Sequence, residues 1–391
     1  MRRLAANYVF PVTQPPIKQG VIEIDDNGTI ISVGSFANSK ETEKTAFYNG
    51  ILVPGFVNTH CHLELSALKK KISPHQGLPN FIASVQQIRK TISDSEYLNA
   101  IDTYDAYMYE QGIVAVGDIC NTALTVETKK KSNIYYHSFI ELFGLDASKS
   151  HSIITQGKEL QNSFKENDLT NSITAHSPYS VSPSLLHKIG NLGNNNRLSI
   201  HHLETEDERH LLKNKTGKLA QLFETLDIAI DTLPESISPT QYLAQYLNAD
   251  TPILFVHNTV AEKEDFEKIT EFFEAPFLSI CPSSNLYLHN IIPNINKLKE
   301  SKIPITIGTD SLSSTTTLSI LFELQILTQN FPHIPFTDWL SYATLNGAKA
   351  LGIENRFGSF EIGKKPGINL IEHFDFSAMQ LLSESTVKKL I

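Results

Sequence analysis

Short apolar segments alternate with longer helical segments through the middle of the chain. Each apolar segment has the length of a buried strand, ends in polar or glycine residues, and is followed by a helical stretch. The eight candidate strands are residues 51–60, 112–119, 134–143, 172–177, 198–202, 252–258, 275–282 and 303–310. Eight parallel strands with intervening helices predict an α/β fold with a TIM-like (β/α)8 barrel. A doubly wound open sheet is the alternative, and the lack of a glycine-rich nucleotide-binding turn disfavours it.

The two ends of the chain have a different pattern. Residues 6–49 alternate apolar and polar positions, and Asp26-Asn27-Gly28 between two such runs indicates a hairpin. After a helical segment around residues 339–351, the tail FGSFEIGKKPGINLIE returns to strand and turn character. We therefore predict a small β-sandwich domain formed by both termini, residues 1–50 and 355–391. The barrel domain is predicted over residues 51–354.

Composition and charge exclude several classes of protein. The 391 residues include 33 Lys and Arg against 42 Asp and Glu, a net charge of −9 without long blocks of one sign, which argues against a nucleic-acid partner. Cys61, Cys120 and Cys281 are too few and too scattered for a disulfide framework. No apolar stretch has the length of a membrane span, and the first residues lack the apolar core of a signal peptide. We expect a cytoplasmic protein without a membrane partner.

Histidines and carboxylates stand at the ends of the candidate strands, where the active sites of barrels form. His60 and His62 end the first strand, and because side chains at i and i+2 of a strand point the same way, both imidazoles enter one site. Later strand ends add His201 with Glu204, His257 and Asp310. Taken singly, each is better explained as a satisfied core or capping residue. Together they supply the ligands and proton-transfer groups of metal-assisted hydrolysis.

Six of the strand ends carry motifs in a recognisable order. They are VPGFVNTHCHLE, TAHSPYS, SIHHLETEDE, FVHNTV, CPSSN and IGTDS, followed by ATLNGAKALGI and FGSFEIGKKPG. Through these ordered motifs, nearly the whole chain resembles the amidohydrolase superfamily, specifically the aminohydrolase branch of deaminases and chlorohydrolases. The resemblance implies a distorted (β/α)8 barrel with a small β-sandwich built from both termini.

The resemblance also implies a role for each site residue. The ligands of one divalent metal would be His60, His62, His201 and Asp310, and the catalytic residues would be Glu204, which shuttles protons, His257, which hydrogen-bonds the metal's water, and Asp310, which accepts a proton. Substrate contacts would come from Glu64, His176 and Ser311. Binuclear relatives carry a modified lysine where this chain has His176, so one metal is implied. Zn²⁺ is the first choice, and Fe²⁺ or Mn²⁺ suits the same ligands. His202 lacks the three-residue offset to Glu204 and is expected to face away from the metal.

The implied activity is hydrolytic deamination. Hydroxide formed at the metal would attack an amino-substituted purine nucleoside or related heterocycle and release ammonia. The HCHLELS and SIHHLE segments are most similar to deaminases of 6-amino-6-deoxyfutalosine, with adenosine and S-adenosylhomocysteine deaminases next. Two alternatives stay open: a hydrolase of the same fold that cleaves a C–Cl or cyclic amide C–N bond, and a non-catalytic scaffold. Homodimers are common in this family, although the sequence shows no interface.

Overall fold

The computed structural model describes residues 1–36, 44–193 and 196–391. In this part of the chain the strands are β1 (Arg2–Val9), β2 (Ile17–Ile24), β3 (Ile30–Ser35), β4 (Thr45–Pro54), β5 (Phe56–Cys61), β6 (Ile113–Cys120), β7 (Tyr135–Leu142), β8 (Asn171–Ala175), β9 (Leu198–His202), β10 (Ile253–His257), β11 (Pro276–Ile280), β12 (Ile305–Ile307), β13 (Ile368–Asp375) and β14 (Gln380–Lys389).

One or more helices follow each strand of the middle region. They are α1 (Gly77–Arg89), α2 (Asp94–Glu110), α3 (Val126–Lys131), α4 (Ser150–Lys165), α5 (Pro183–Gly190), α6 (Glu206–Asn214), α7 (Lys218–Thr225), α8 (Pro239–Ala244), α9 (Lys263–Phe272), α10 (Pro282–His289), α11 (Ile295–Glu300), α12 (Ile320–Asn330), α13 (Phe336–Ala343) and α14 (Leu345–Leu351). A 3-10 helix over Leu63–Leu68 follows β5.

The strands from the two ends of the chain form one sheet. Its six strands lie in the order β14-β13-β4-β1-β2-β3. The predicted hairpin is confirmed: β2 and β3 pair antiparallel, and Gly28 between them has a φ of +81°, which glycine adopts without strain. The described terminal strands belong to this single sheet, so the predicted two-sheet sandwich is not confirmed.

The eight central strands form two parallel four-stranded sheets. One has the order β5-β6-β7-β8 and the other the order β9-β10-β11-β12. Every residue of β5, β6, β9 and β10 is buried, as expected for parallel strands covered on both faces. All eight strands overlap the predicted segments, so the alternation of apolar and helical segments identified them correctly.

The first predicted strand, residues 51–60, needs a correction. The structure divides it at Gly55, because β4 pairs with β1 and β13 in the terminal sheet whereas β5 pairs with β6. Gly55 N donates to Pro366 O at 3.0 Å, and a Cβ at position 55 would lie 2.3 Å from Val114 Cγ1. The chain therefore crosses from the terminal sheet to the parallel strands at a point with no room for a side chain.

The structure also bears on the predicted environment of the chain. All three cysteines are buried and free. Within residues 1–36, 44–193 and 196–391, no helix combines the length and the apolar character needed to cross a bilayer.

Candidate metal and catalytic site

His60 and His62 converge at the end of β5, as the i, i+2 alternation predicts. Their Nε2 atoms lie 3.1 Å apart, and His62 Nε2 lies 3.4 Å from Asp310 Oδ1. Both imidazoles are buried, with His60 fully so. Burial, together with neighbouring imidazoles, lowers the pKa of His60 well below its ordinary value, which keeps this ring neutral. A neutral imidazole is the form that binds a metal.

His201 and His257, at the ends of β9 and β10, form the opposite side of the cluster. His201 Nδ1 lies 3.0 Å from His257 Nε2, and the two rings stack with centroids 5.1 Å apart. Burial and the neighbouring imidazoles, His176 foremost, lower the pKa of His201 well below its ordinary value. His202 faces away, as expected, because its ring nitrogens contact Asn258 Oδ1 at 2.9 Å and Thr240 Oγ1 at 3.0 Å.

Asp310 reaches the cluster from the chain that follows β12. Its Oδ2 accepts hydrogen bonds from Ser284 Oγ at 2.6 Å and Ser314 Oγ at 2.7 Å, so Oδ1 is left to face the imidazoles. The two strand ends approach closely because residue 308 is glycine: a Cβ there would lie 2.8 Å from His60 Cβ. Burial alone would raise the pKa of Asp310, but the surrounding imidazoles outweigh it and lower that pKa.

The backbone is strained where it carries these side chains. His257 has a φ of +73° and Asp310 a φ of +58°, and Leu203 and Asn258 beside the histidines also have positive φ. Such conformations cost non-glycine residues about 1–3 kcal/mol each and concentrate at functional sites. The backbone at these strand ends therefore departs from regular geometry where it places the side chains of the cluster.

Glu204 lies beside the cluster between two histidines. Its Oε2 is 3.7 Å from His257 Nε2, and its Oε1 is 3.6 Å from His289 Nε2. Burial alone would raise the pKa of Glu204, but His257 and His289 outweigh it and lower the pKa. The carboxylate is thus ionised at neutral pH and able to accept a proton.

Glu141, at the end of β7, is a site residue that the sequence analysis missed. Its Oε1 lies 2.7 Å from His176 Nδ1 and 3.7 Å from His201 Nε2. Burial alone would raise the pKa of Glu141, but the effect of His176 is larger and lowers that pKa below its ordinary value. Burial alone would lower the pKa of His176, but the effect of Glu141 is larger and raises it. The sequence did carry a signal for Glu141, namely a carboxylate at the end of an apolar strand, which is the same signal that pointed to Asp310.

The predicted substrate contacts fall in different places. His176 and Ser311 line a cavity that opens onto the cluster, whereas Glu64 is not among the residues that line it. Glu64 is buried and accepts hydrogen bonds from the backbone of Asn121 and from Thr122, so its carboxylate holds the loop after β6. Burial raises the pKa of Glu64 to about 7 despite the nearby Arg89.

The cavity has a polar end and an apolar wall. Its volume is about 290 Å³, with His62, His201, His257, Glu204 and Asp310 at the polar end. The wall comes from α1 and from α7 with the residues that follow it, namely Leu78, Phe81, Ile82, Val85, Phe223, Leu226 and Ile228. A ligand of mixed polarity fits such a cavity, with its reacting atoms at the polar end.

The donor set fits a divalent metal. His60 is common to two groups of closely spaced donor atoms, one with His62 and Asp310 and one with His201 and His257. His201 Nε2 is buried and has no hydrogen-bond partner among the described residues. Imidazole nitrogens and one carboxylate are ligands that Zn²⁺ accepts, and a cation would relieve the cost of the buried Asp310 carboxylate.

Comparison with known proteins identifies the family. The family model described as "Amidohydrolase family" matches residues 51–389. The chain belongs to the amidohydrolase family. The resemblance seen in the strand-end motifs is therefore confirmed.

Individual relatives of this amidohydrolase are deaminases. An adenosine deaminase from Helicobacter pylori is 29% identical over 338 residues, which are 83% of this chain and 79% of the relative. The crystal structure of Helicobacter pylori aminofutalosine deaminase in complex with methylthio-coformycin matches with a TM-score of 0.86 over 100% of both chains, at 23% identity. That of a Xanthomonas campestris adenosine deaminase with bound zinc has a TM-score of 0.73 at 20% identity, covering 98% of this chain and 87% of the other. These likenesses show a TIM-barrel-type α/β fold with an additional β domain.

Proposed function

We infer that this amidohydrolase is a metal-dependent hydrolytic deaminase of an amino-substituted purine nucleoside. The observation that carries the inference is the convergence of His60, His62, His201 and Asp310 in one cluster, of which all but His60 line the polar end of the cavity, with Glu204 beside them. The deaminase names of its relatives support the same reaction. The reaction breaks the bond between a ring carbon and its amino group and forms a carbon–oxygen bond from water, with ammonia as the second product.

The central strands support the inference by enclosing one site. Cys61 and Asp310 form a parallel bridge between the chain at β5 and the chain after β12, and His201 N donates to His176 O at 2.8 Å between the other two sheet edges. We infer that the two four-stranded sheets act as one (β/α)8 barrel. Its strand ends then face a common cavity, which is the geometry in which barrel enzymes bind substrate.

Zn²⁺ is the proposed metal, held by the three histidines and Asp310. A divalent ion held there would lower the pKa of a bound water to about 7 and so would supply a nucleophile at neutral pH. The serine hydroxyls on Asp310 Oδ2 fix the carboxylate so that Oδ1 faces His62 and can take a proton from the nucleophile.

Glu204 is the proposed proton carrier between water and substrate. Its carboxylate is ionised and lines the cavity, so it can take a proton and deliver it to the ring nitrogen next to the attacked carbon. His257 lies 3.7 Å from Glu204 and 3.0 Å from His201, which places its ring between the proton carrier and the proposed ligands. His176 and Ser311 are proposed to contact the substrate from the cavity wall.

Ammonia release tests the proposal. Zinc-loaded protein is assayed with 6-amino-6-deoxyfutalosine, adenosine and S-adenosylhomocysteine, and with chlorotriazines as an outgroup. We expect ammonia from at least one nucleoside, and Glu204→Gln should lower kcat by about 10²-fold or more with its metal content intact. Glu206→Gln changes an exposed carboxylate two residues away and should leave turnover unchanged.

Three results would contradict the proposal. Chloride release from a triazine without ammonia from any nucleoside would indicate the dehalogenating alternative. Protein that cannot be loaded with metal would indicate a scaffold. Full activity of Glu204→Gln would remove Glu204 from the reaction.

A further inference from the structure

Helix α10 approaches the three residues predicted to be catalytic, namely Asp310, His257 and Glu204. Ser284 Oγ donates a hydrogen bond to Asp310 Oδ2 at 2.6 Å. Asn285 Nδ2 lies 3.3 Å from His257 Nδ1. His289 Nε2 lies 3.6 Å from Glu204 Oε1. Residues 285 and 289 are one turn apart and share a face of the helix, whereas the side chain of residue 284 leaves the helix about 100° around the axis from residue 285. A single rigid element therefore touches three side chains that come from three different strand ends.

His289 turns a buried ring nitrogen towards Glu204. Its Nε2 is buried and makes no hydrogen bond, so the Glu204 carboxylate is the polar group it faces. Glu204 Oε2 is at the same time 3.7 Å from His257. Each carboxylate oxygen therefore faces an imidazole, one on α10 and the other at the end of β10.

Helix α10 is itself fixed at its start and in its middle. The fully buried Glu323 carboxyl of α12 accepts hydrogen bonds from Ser283 N at 2.9 Å and from the Ser283 hydroxyl. Tyr287 binds the chain before α1 through its hydroxyl, which donates to Ile72 O at 2.5 Å. A helix held in this way cannot rotate or slide without breaking buried hydrogen bonds, which are costly to lose.

We propose that α10 is the positioning helix of the site: Ser284, Asn285 and His289 set the orientations of Asp310, His257 and Glu204. Outer partners of this kind, which orient ligands and proton carriers, are worth about 10- to 100-fold in metal affinity or activity. His289 is the positioning residue for the proton carrier. It is not among the residues that line the cavity.

The test for His289 compares two substitutions. His289→Leu removes the polar contact to Glu204 and should lower kcat about 10- to 100-fold, with KM changed less than about threefold. His289→Gln restores a donor of similar reach and should recover most of the lost kcat. His187→Leu, on the exposed side of α5, is the matched control and should keep wild-type kcat.

Two results would overturn the role of His289. One is a wild-type kcat in His289→Leu. The other is an equal loss of kcat in His289→Leu and His289→Gln, accompanied by a matching fall in thermal stability. A purely structural residue would behave in this way.

The test for Ser284 does not depend on turnover. Ser284→Ala leaves Asp310 Oδ2 with only the Ser314 hydroxyl, so Zn²⁺ affinity measured by competition with a chelator should fall about 10-fold or more. Ser152→Ala, an exposed serine on α4, should leave the affinity unchanged. Unchanged Zn²⁺ affinity in Ser284→Ala would overturn the proposed orientation of Asp310.

The inference rests on the proposed function, but the two can fail separately. If wild-type protein binds Zn²⁺ and deaminates nothing, the proposed function fails while the Ser284 measurement still decides the role of α10. If wild-type protein deaminates a nucleoside and the α10 variants behave as wild type, only the positioning role fails.

Discussion

A buried ion pair next to β5, the strand that ends in the first two proposed metal ligands, gives the sharpest prediction about stability. Lys129 Nζ lies 2.6 Å from Asp118 Oδ2, and both side chains are fully buried. The other oxygen of Asp118 accepts from Leu63 N at 2.8 Å, directly after the HxH motif. Burial alone would lower the pKa of Lys129, but Asp118 and Cys120 outweigh it and raise the pKa, so the Lys129 amine keeps its charge.

Lys129→Met removes the cation and leaves the Asp118 carboxylate buried without a counter-charge. Breaking a buried pair in this way costs about 3–5 kcal/mol, a large part of the roughly 5–15 kcal/mol by which proteins are stable. Adding Asp118→Asn should recover part of the loss, because a neutral amide needs no counter-charge and its oxygen still accepts from Leu63 N. The double variant should therefore be more stable than Lys129→Met alone.

Urea unfolding of metal-free protein, followed by circular dichroism, measures these free energies. Lys130→Met is the control, since Lys130 is exposed and pairs only with Glu127 at the surface. A double variant that is as unstable as Lys129→Met, or less stable, would refute the reasoning. It would mean that the lost packing and hydrogen bonds of Lys129, and not the uncompensated charge, set the cost.

Two further predictions concern a close approach and a buried histidine. Gly308→Ala should weaken Zn²⁺ binding about 10-fold or more in a chelator competition, because its Cβ would press on His60, whereas Gly34→Ala meets nothing within 4 Å and should have no effect. Burial lowers the pKa of His137 to about 3. Between about pH 6 and 4 the His137 imidazole is therefore protonated in the unfolded chain and neutral in the native state. The free energy of unfolding therefore falls as the pH falls. His137→Gln should reduce the slope of that free energy against pH by up to about 1.4 kcal/mol per pH unit. Equal slopes for wild type and variant, measured by urea unfolding, would contradict this prediction.

The sequence predicted the site best where strand geometry alone places the side chains. His60 and His62 share a face because strands alternate, and the ends of parallel strands meet at one edge, so His201, His257 and Asp310 could be assigned together. The alternation of strands and helices likewise located all eight central strands.

Other features depend on contacts that no local pattern encodes. His289 reaches Glu204 from a helix far along the chain, and nothing in its own neighbourhood marks it as a site residue. The division of the first predicted strand at Gly55 follows from pairing with β13, near the other end of the sequence. Whether the terminal strands form one sheet or two is also decided by such distant pairing.

Incorporation of oxygen from isotopically labelled water tests the central claim most directly. The nucleoside that releases ammonia is incubated with zinc-loaded protein in H₂¹⁸O, and the product is analysed by mass spectrometry. Hydrolytic deamination predicts one ¹⁸O atom on the ring carbon that carried the amino group and one ammonia per product, with both signals lost in Asp310→Asn. Product without ¹⁸O on the ring, or labelled product at the same rate in Asp310→Asn, would contradict the assignment of this cluster as the deaminase site.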